Sequence, residues 1–331
     1  MSSVSLDYEP GRQVARSEKV GARHGFSVRF RGVRGSYAVP GRGTTGIGGN
    51  TPCVEVRVGG HILIFDAGTG IIELGRELVA EHLGSGTDAE SRKPLTCTLF
   101  FSHMHHDHTQ GFPFFAPVFL RGAVLHILGP RLARQDLEEA LTKALLTPFF
   151  PVDLDEMAAE MAIRNLEDDE IVVLPPDSSE PRLVNATRSR PALTPDHVVV
   201  RNLRGYSHPS GIRFYRVEYG GRSVVYATDT EGYVGGDVNL SLFAAGADVL
   251  IHDAQYRESE YVGRPVPTQG YGHSTPAMAA AVAAAAGVGR LVLFHHDPRH
   301  DDGVVAVMEA DARRLFANSA AAYEGMSIDL L

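Results

Sequence analysis

The feature that most restricts the architecture of this chain is a short, continuously apolar run that recurs and stops each time at a residue able to bind metal or move a proton. Residues 61–65 stop at Asp66, and 95–101 stop just before His103. Residues 223–228 stop at Asp229, 248–252 at Asp253, and 290–294 at His295. Each run has strand length and β-branched or aromatic content, and unbroken apolarity implies strands covered on both faces. A layered α/β fold is therefore expected, with chemically competent residues along one edge of its sheets, where such folds build ligand sites.

Helices are predicted between these strands. One begins near Thr275, where Ser274-Thr275-Pro276 supplies an N-cap hydroxyl and a proline at the first helical position, and it ends at Gly287. A second is expected over about 132–146 and a third from Asp153 to about Met161. With the Phe149-Phe150-Pro151 link they form a helical insertion at about 130–165. Its aromatic residues are open to three roles: a lid over a site, the contact of a homodimer, or a local core. Residues 1–25 read as a flexible N-terminal arm, and the alternating Phe26, Val28 and Phe30 begin one folded domain, 26–331.

The net charge of −9 argues against a broad basic surface for a nucleic acid polymer, so a small substrate is expected and no long nucleic acid. The first twenty-five residues contain no apolar core of a secretory signal. The most apolar long stretch, 277–294, is interrupted by Gly287, Gly289 and Arg290 and reads as a helix followed by a strand, so no membrane span is expected. The two cysteines, Cys53 and Cys97, belong to no C-x-x-C pattern and read as buried thiols. A cytoplasmic location is the expectation.

The segment after the second run reads S102-H-M-H-H-D-H-T. His103 and His105 are two residues apart, so an extended chain sends both side chains to the same face. Asp107 and His108 follow in a turn that directs them to a neighbouring position, so one cation suits the first pair and another the second. With 15 histidines in 331 residues, three at these offsets arise by chance at about one starting position in ten thousand. Imidazole and carboxylate donors without thiolate suit zinc, manganese or iron better than calcium or magnesium. The remaining ligands must come from elsewhere: His208 in G-Y-S-H-P-S-G, Asp229 in Y-A-T-D-T-E and His295 in L-F-H-H-D-P. The Asp229 carboxylate is able to bridge two ions. His197 and His296 are the competing histidines, the latter pointing away from His295.

The H103-M-H-H-D-H108 segment matches the H-x-H-x-D-H signature of the metallo-β-lactamase-fold hydrolases, and Asp66, His208, Asp229 and His295 match their other metal-region motifs in the same order. The resemblance implies a four-layer αββα sandwich with two divalent transition-metal ions, zinc foremost and manganese or iron as alternatives. One ion would sit on His103, His105, His208 and Asp229, and the other on Asp107, His108, Asp229 and His295. Asp66 would orient a ligand from behind.

The segments V-L-I-H-D253-A-Q-Y and Y-G-H273-S-T-P resemble the phosphodiesterase branch of that family, which includes ribonuclease Z and small cyclic-phosphate phosphodiesterases. By that resemblance His273 is a proton donor or phosphate clamp, Asp253 its partner, and a metal-bridging hydroxide the nucleophile, with Asp107 in the catalytic set. The short interval from His208 to Asp229 leaves no room for a long tRNA-gripping arm, which favours a small cyclic nucleotide or cyclic phosphate as substrate. Two other readings stay open: a lactone or thioester hydrolase in which Tyr233 stabilises the carbonyl oxygen, and a binding protein that only retains the fold. The glycine-rich 41–51 lacks the lysine of a phosphate-binding loop. Asn50 is a candidate to face the site, and Arg34 either holds a phosphate bidentately or forms a structural ion pair.

Overall fold

The computed structural model describes residues 25–331 apart from 132–135, 147, 149, 190, 210, 234–235 and 264–265. The expected N-terminal arm thus lies, but for its last residue, outside the described residues, as does Phe149. Six strands open the chain: β1 (Phe26–Gly32), β2 (Cys53–Val58), β3 (His61–Phe65), β4 (Thr96–Phe100), β5 (Val124–Pro130) and β6 (Glu160–Leu166). Eight more form a second sheet: β7 (Glu170–Leu174), β8 (Arg182–Asn185), β9 (Val198–Gly205), β10 (Ile212–Tyr219), β11 (Arg222–Ala227), β12 (Val249–Asp253), β13 (Arg290–Phe294) and β14 (Ser319–Ala321). The last strand, β15 (Ser327–Asp329), returns to the first sheet, whose order is β15-β1-β2-β3-β4-β5-β6. The second runs β14-β13-β12-β11-β10-β9-β7-β8.

The helices are α1 (Ile71–Gly84), α2 (His106–Thr109), α3 (Leu137–Ala144), α4 (Val238–Phe243), α5 (Glu258–Tyr261), α6 (Pro276–Ala286) and α7 (Asp302–Leu315). Aromatic side chains fill the space between the sheets. The Phe65 ring lies 5.1 Å from Phe100 and 5.6 Å from Tyr226, and Phe30 meets Phe294 at 6.0 Å. Outside, Leu74 and Leu78 of α1 and Leu137 and Leu141 of α3 share a core with Leu99, Leu125 and Ile127 of the first sheet. On the other side Leu240, Val282, Ala283 and Ala312 from α4, α6 and α7 cover Val225, Leu250 and Leu291. The result is the expected αββα sandwich, in which the alanines of α6 let helix and sheet approach closely.

Strands β3 to β6 are mutually parallel, and so are β11 to β14. Parallel pairing points their C-terminal ends the same way, so the residues that terminate the five apolar runs leave the sheets together. Helix α6 begins and ends as the sequence predicts. The Thr275 side chain accepts from the Met278 amide, and Gly287 adopts a left-handed φ of 62° after the last turn.

The insertion departs from expectation. Helix α3 is shorter than 132–146, starting at Leu137 on an Asp136 N-cap. No helix follows Asp153: a 3-10 turn over Leu154–Glu156 closes on a capping box, and the chain then enters β6, which pairs in parallel with β5 over seven residues. Helix-favouring residues there yield to the open edge of β5, which offers a full ladder of backbone partners. Phe150 packs against Phe114 at 5.6 Å, in partial contact with the helical layer. Among the described residues no helix is long and apolar enough to cross a membrane.

Candidate metal centre

Three of the strand-end residues are held in left-handed backbone geometry, with φ of 60° at Asp66, 47° at Asp229 and 63° at His295. For non-glycine residues this costs roughly 1–3 kcal/mol each and is retained where the surroundings impose it. It turns each side chain across the sheet edge. His105 is the extended N-cap of α2, so the chain passes from extended to helical between His105 and Asp107, as the two ligand pairs require.

Two groups of donor atoms result. In the first, His208 Nε2 lies 3.0 Å from His105 Nδ1, and His103 Nε2 lies 3.5 Å from Asp229 Oδ2. In the second, His108 Nε2 lies 3.2 Å from His295 Nε2, and both face Asp229 Oδ1, at 3.2 and 3.3 Å. Asp107 Oδ2 completes that group, 3.1 Å from His295 Nε2. Within each quartet the candidate ligand atoms lie no more than 4.8 Å apart. Asp229 therefore presents one oxygen to each group.

The supporting contacts lie behind these residues. Asp66 accepts from the Ser102 amide and hydroxyl, from His108 Nδ1 at 2.7 Å and from the Tyr226 hydroxyl at 2.7 Å. It thereby fixes the His108 ring with Nε2 facing the cluster, the usual task of a residue behind a ligand. The Gly272 carbonyl lies 3.2 Å from His208 Nδ1, and the Ser36 amide donates to Asp107 Oδ2. His273 Nδ1 lies 2.6 Å from Asp253 Oδ2, and the His273 ring stacks on His295.

The electrostatics favour cations. Burial holds His103 and His105 below the ordinary histidine pKa and lowers His208 to about 4, so these rings offer free lone pairs. Asp229 and Asp107, whose burial works against ionisation, are nonetheless held well below the usual carboxylate range by the surrounding histidines, His108 foremost. Burial opposes charge on His108, yet Asp229, Asp107 and Asp66 together raise its pKa well above the ordinary value. His103 Nε2 is buried without a hydrogen-bond partner and points into the first group. The neutral imidazoles of His103, His105 and His208, the ionised carboxylates and an orphaned buried nitrogen fit divalent cations, and the three carboxylates that keep a proton on His108 would hold a cation in its place.

The other sequence candidates fall outside the cluster. His296 is buried with Nε2 on the Ala322 carbonyl, and His197 meets Thr194. Asn50 faces Glu324 rather than the site. Arg34 is completely buried, donating to the carbonyls of Gly48, Asp297 and His300 and lying 3.7 Å from Asp302, so the structural alternative holds and the phosphate-clamp alternative does not. The glycine-rich loop is itself anchored by Asp302, which accepts from the Gly46 and Ile47 amides. Tyr233 is exposed and lines a cavity beside His208. Sequence reasoning missed Glu231, which accepts from the Tyr261 hydroxyl and the Gly270 and Gly272 amides and so ties down the loop that carries His273. Its only signal was its place two residues beyond Asp229.

This architecture and this donor set define the metallo-β-lactamase fold, and the chain belongs to that superfamily: the family described as the beta-lactamase superfamily domain matches residues 61–296. It is a metal-dependent hydrolase of that superfamily. The ribonuclease Z of Thermoplasma acidophilum is 27% identical over 308 residues, covering 87% of this chain and 91% of the relative. Among solved structures, a diphosphatase of the PhnP family superposes with a TM-score of 0.61 at 15% identity, covering 92% of this chain and 98% of the other. Human tRNase Z, short form, superposes with 0.57 at 20% identity, covering 91% and 98%.

Proposed function

We propose that this chain is a dinuclear hydrolase of small phosphodiesters, of the cyclic nucleotide or cyclic phosphate type, acting in the cytoplasm. The observation that carries the proposal is a juxtaposition. Asp229 turns one oxygen to each imidazole group, and the His273–Asp253 pair packs directly against His295. In this reading His103, His105, His208 and Asp229 hold one ion, and Asp107, His108, Asp229 and His295 the other, as zinc or, on the same donors, manganese or iron. A bound pair of divalent cations supplies water acidified to near neutral pH and neutralises charge on the phosphoryl group.

The chain's own residues supply the rest. Asp66 and the Gly272 carbonyl orient His108 and His208, and the Ser36 amide steadies Asp107. Burial opposes protonation of His273, but Asp253 outweighs it and the pKa is pushed up to about 9. His273 therefore carries a proton at neutral pH, with Nδ1 committed to Asp253 and Nε2 left to protonate the departing alkoxide.

A small diester fits the net charge of −9 and the β10–β11 hairpin, which fills the interval between His208 and Asp229. Free, buried Cys53 and Cys97 suit a reducing cytoplasm. Lactone or thioester hydrolysis is the second reading, resting on the exposed Tyr233, which lines the same cavity as His208. The test is turnover by metal-reconstituted protein of cyclic nucleotides, linear diesters, a structured RNA, lactones and thioesters. Cleavage of small diesters is expected; a protein that ignores every one of them and opens a lactone or thioester would refute the proposal.

A further inference from the structure

A cavity of about 450 Å³ opens on the His208 side of the cluster. Its walls include Tyr206, Pro209, Glu231, Tyr233 and Tyr261. Its volume is in the range of small-ligand sites. Two of the tyrosines are unusually exposed for rings at a site, Tyr206 at 75% and Tyr233 at 55%. The Arg204 guanidinium lies over the Tyr206 ring, 5.4 Å from its centre, and supports that ring in place.

Glu231 and Ser207 of the cavity are already engaged. Both oxygens of Glu231 are occupied by the Tyr261 hydroxyl and two backbone amides, and the Ser207 hydroxyl is paired with Thr230. Among the described residues no lysine or arginine lines the walls, and the Glu231 carboxylate disfavours an anion. The cavity still offers the exposed rings of Tyr206 and Tyr233, whose faces suit stacking, while the negative charge of a substrate suits the neighbouring imidazole–carboxylate cluster.

We propose that this cavity seats a planar aromatic substituent of the diester, a nucleobase in chemical class, stacked on Tyr206 and Tyr233 while the phosphate lies at the metal centre. The proposal rests on the phosphodiester reading and narrows it to nucleoside-bearing diesters. An alkyl substituent would leave the ring faces unused. Stacking of a base on an aromatic side chain commonly strengthens binding by roughly five- to a hundredfold.

The experiment is titration calorimetry of the metal-loaded protein with adenosine 5′-monophosphate and with ribose 5-phosphate, which carry the same phosphate and differ by the base. The nucleotide is expected to bind at least about tenfold more tightly. Tyr206→Ala combined with Tyr233→Ala should bring the two affinities together, whereas Tyr206→Phe with Tyr233→Phe should preserve the difference. Equal or absent binding of the two ligands to the unaltered protein overturns the proposal, and so does an unchanged ratio in the alanine variant. If the alanine variant fails to fold, the comparison in the unaltered and phenylalanine proteins still decides. Base-dependent binding without turnover of any diester would remove the phosphodiester reading and leave the aromatic seat standing; diester turnover without base preference would do the reverse.

Discussion

Asp253 Oδ2 lies 2.6 Å from His273 Nδ1, and the ring that it holds lies 5.0 Å from His295 at an interplanar angle of 17°. The carboxylate comes from the end of β12 and the imidazole from the loop before α6, so the pair joins two elements at the edge of the candidate metal centre. Charge and orientation are coupled in it: the same contact that aims the ring keeps its proton on.

His273→Ala should therefore slow diesters with poor alkoxide leaving groups by about 10²- to 10⁴-fold, and a p-nitrophenyl leaving group much less, because that group needs little protonation. Asp253→Asn should act on the same step, so the double variant should fall short of the sum of the single effects. Steady-state kcat for paired alkyl and aryl diesters decides. Equal losses on both leaving groups would end the proton-donor role.

Asp229 is the residue common to both donor groups. Asp229→Ala should lower bound metal from two ions toward none, while His105→Ala should leave about one. Metal analysis after dialysis against a weak chelator gives the stoichiometry. Two retained ions in Asp229→Ala would contradict the bridging arrangement.

Gly35 lies against His295: a Cβ there would meet Cε1 and Nδ1 of the ring at 2.5 Å. Gly35→Ala should displace the imidazole and weaken the ion held with Asp107 and His108 by about ten- to a hundredfold, the range seen when a metal ligand loses its support. Gly84→Ala is the control, since a Cβ at that helical position meets nothing within 4 Å. It should leave metal content unchanged and add up to about 1 kcal/mol of stability. Competition titration and thermal melting separate the two outcomes.

Arg34 ties the loop after β1 to the segment after β13 through three backbone carbonyls. Arg34→Met would strand those acceptors in a buried place, and a stability loss of about 3 kcal/mol is expected in urea unfolding. Unaltered stability would mean that water or a neighbour replaces the guanidinium.

Much of the site was legible because its signals are local. An unbroken apolar run ending at a polar residue marks a buried strand and its mouth, and the offsets of His103, His105, Asp107 and His108 depend only on the chain passing from extended to helical. The start of α6 was legible for the same reason, since a hydroxyl cap and a proline act within one turn. The strand at Glu160–Leu166 was not, because its cause is the edge of β5, some thirty residues earlier. Glu231 was missed because its partners, Tyr261 at the end of α5 and Gly270 and Gly272 in the loop beyond, lie about thirty to forty residues away.

The sequence by itself determined the layered α/β class, the candidate donor set and the edge of the sheets on which that set lies, because strand period, capping and residue spacing are properties of neighbouring residues. Only the tertiary structure decided which oxygen of Asp229 faces which imidazoles, that Arg34 is a brace and not a clamp, and that tyrosines from separate loops wall a cavity beside His208. Those outcomes depend on where distant segments meet, and that is settled by the packing of two sheets around a shared aromatic core.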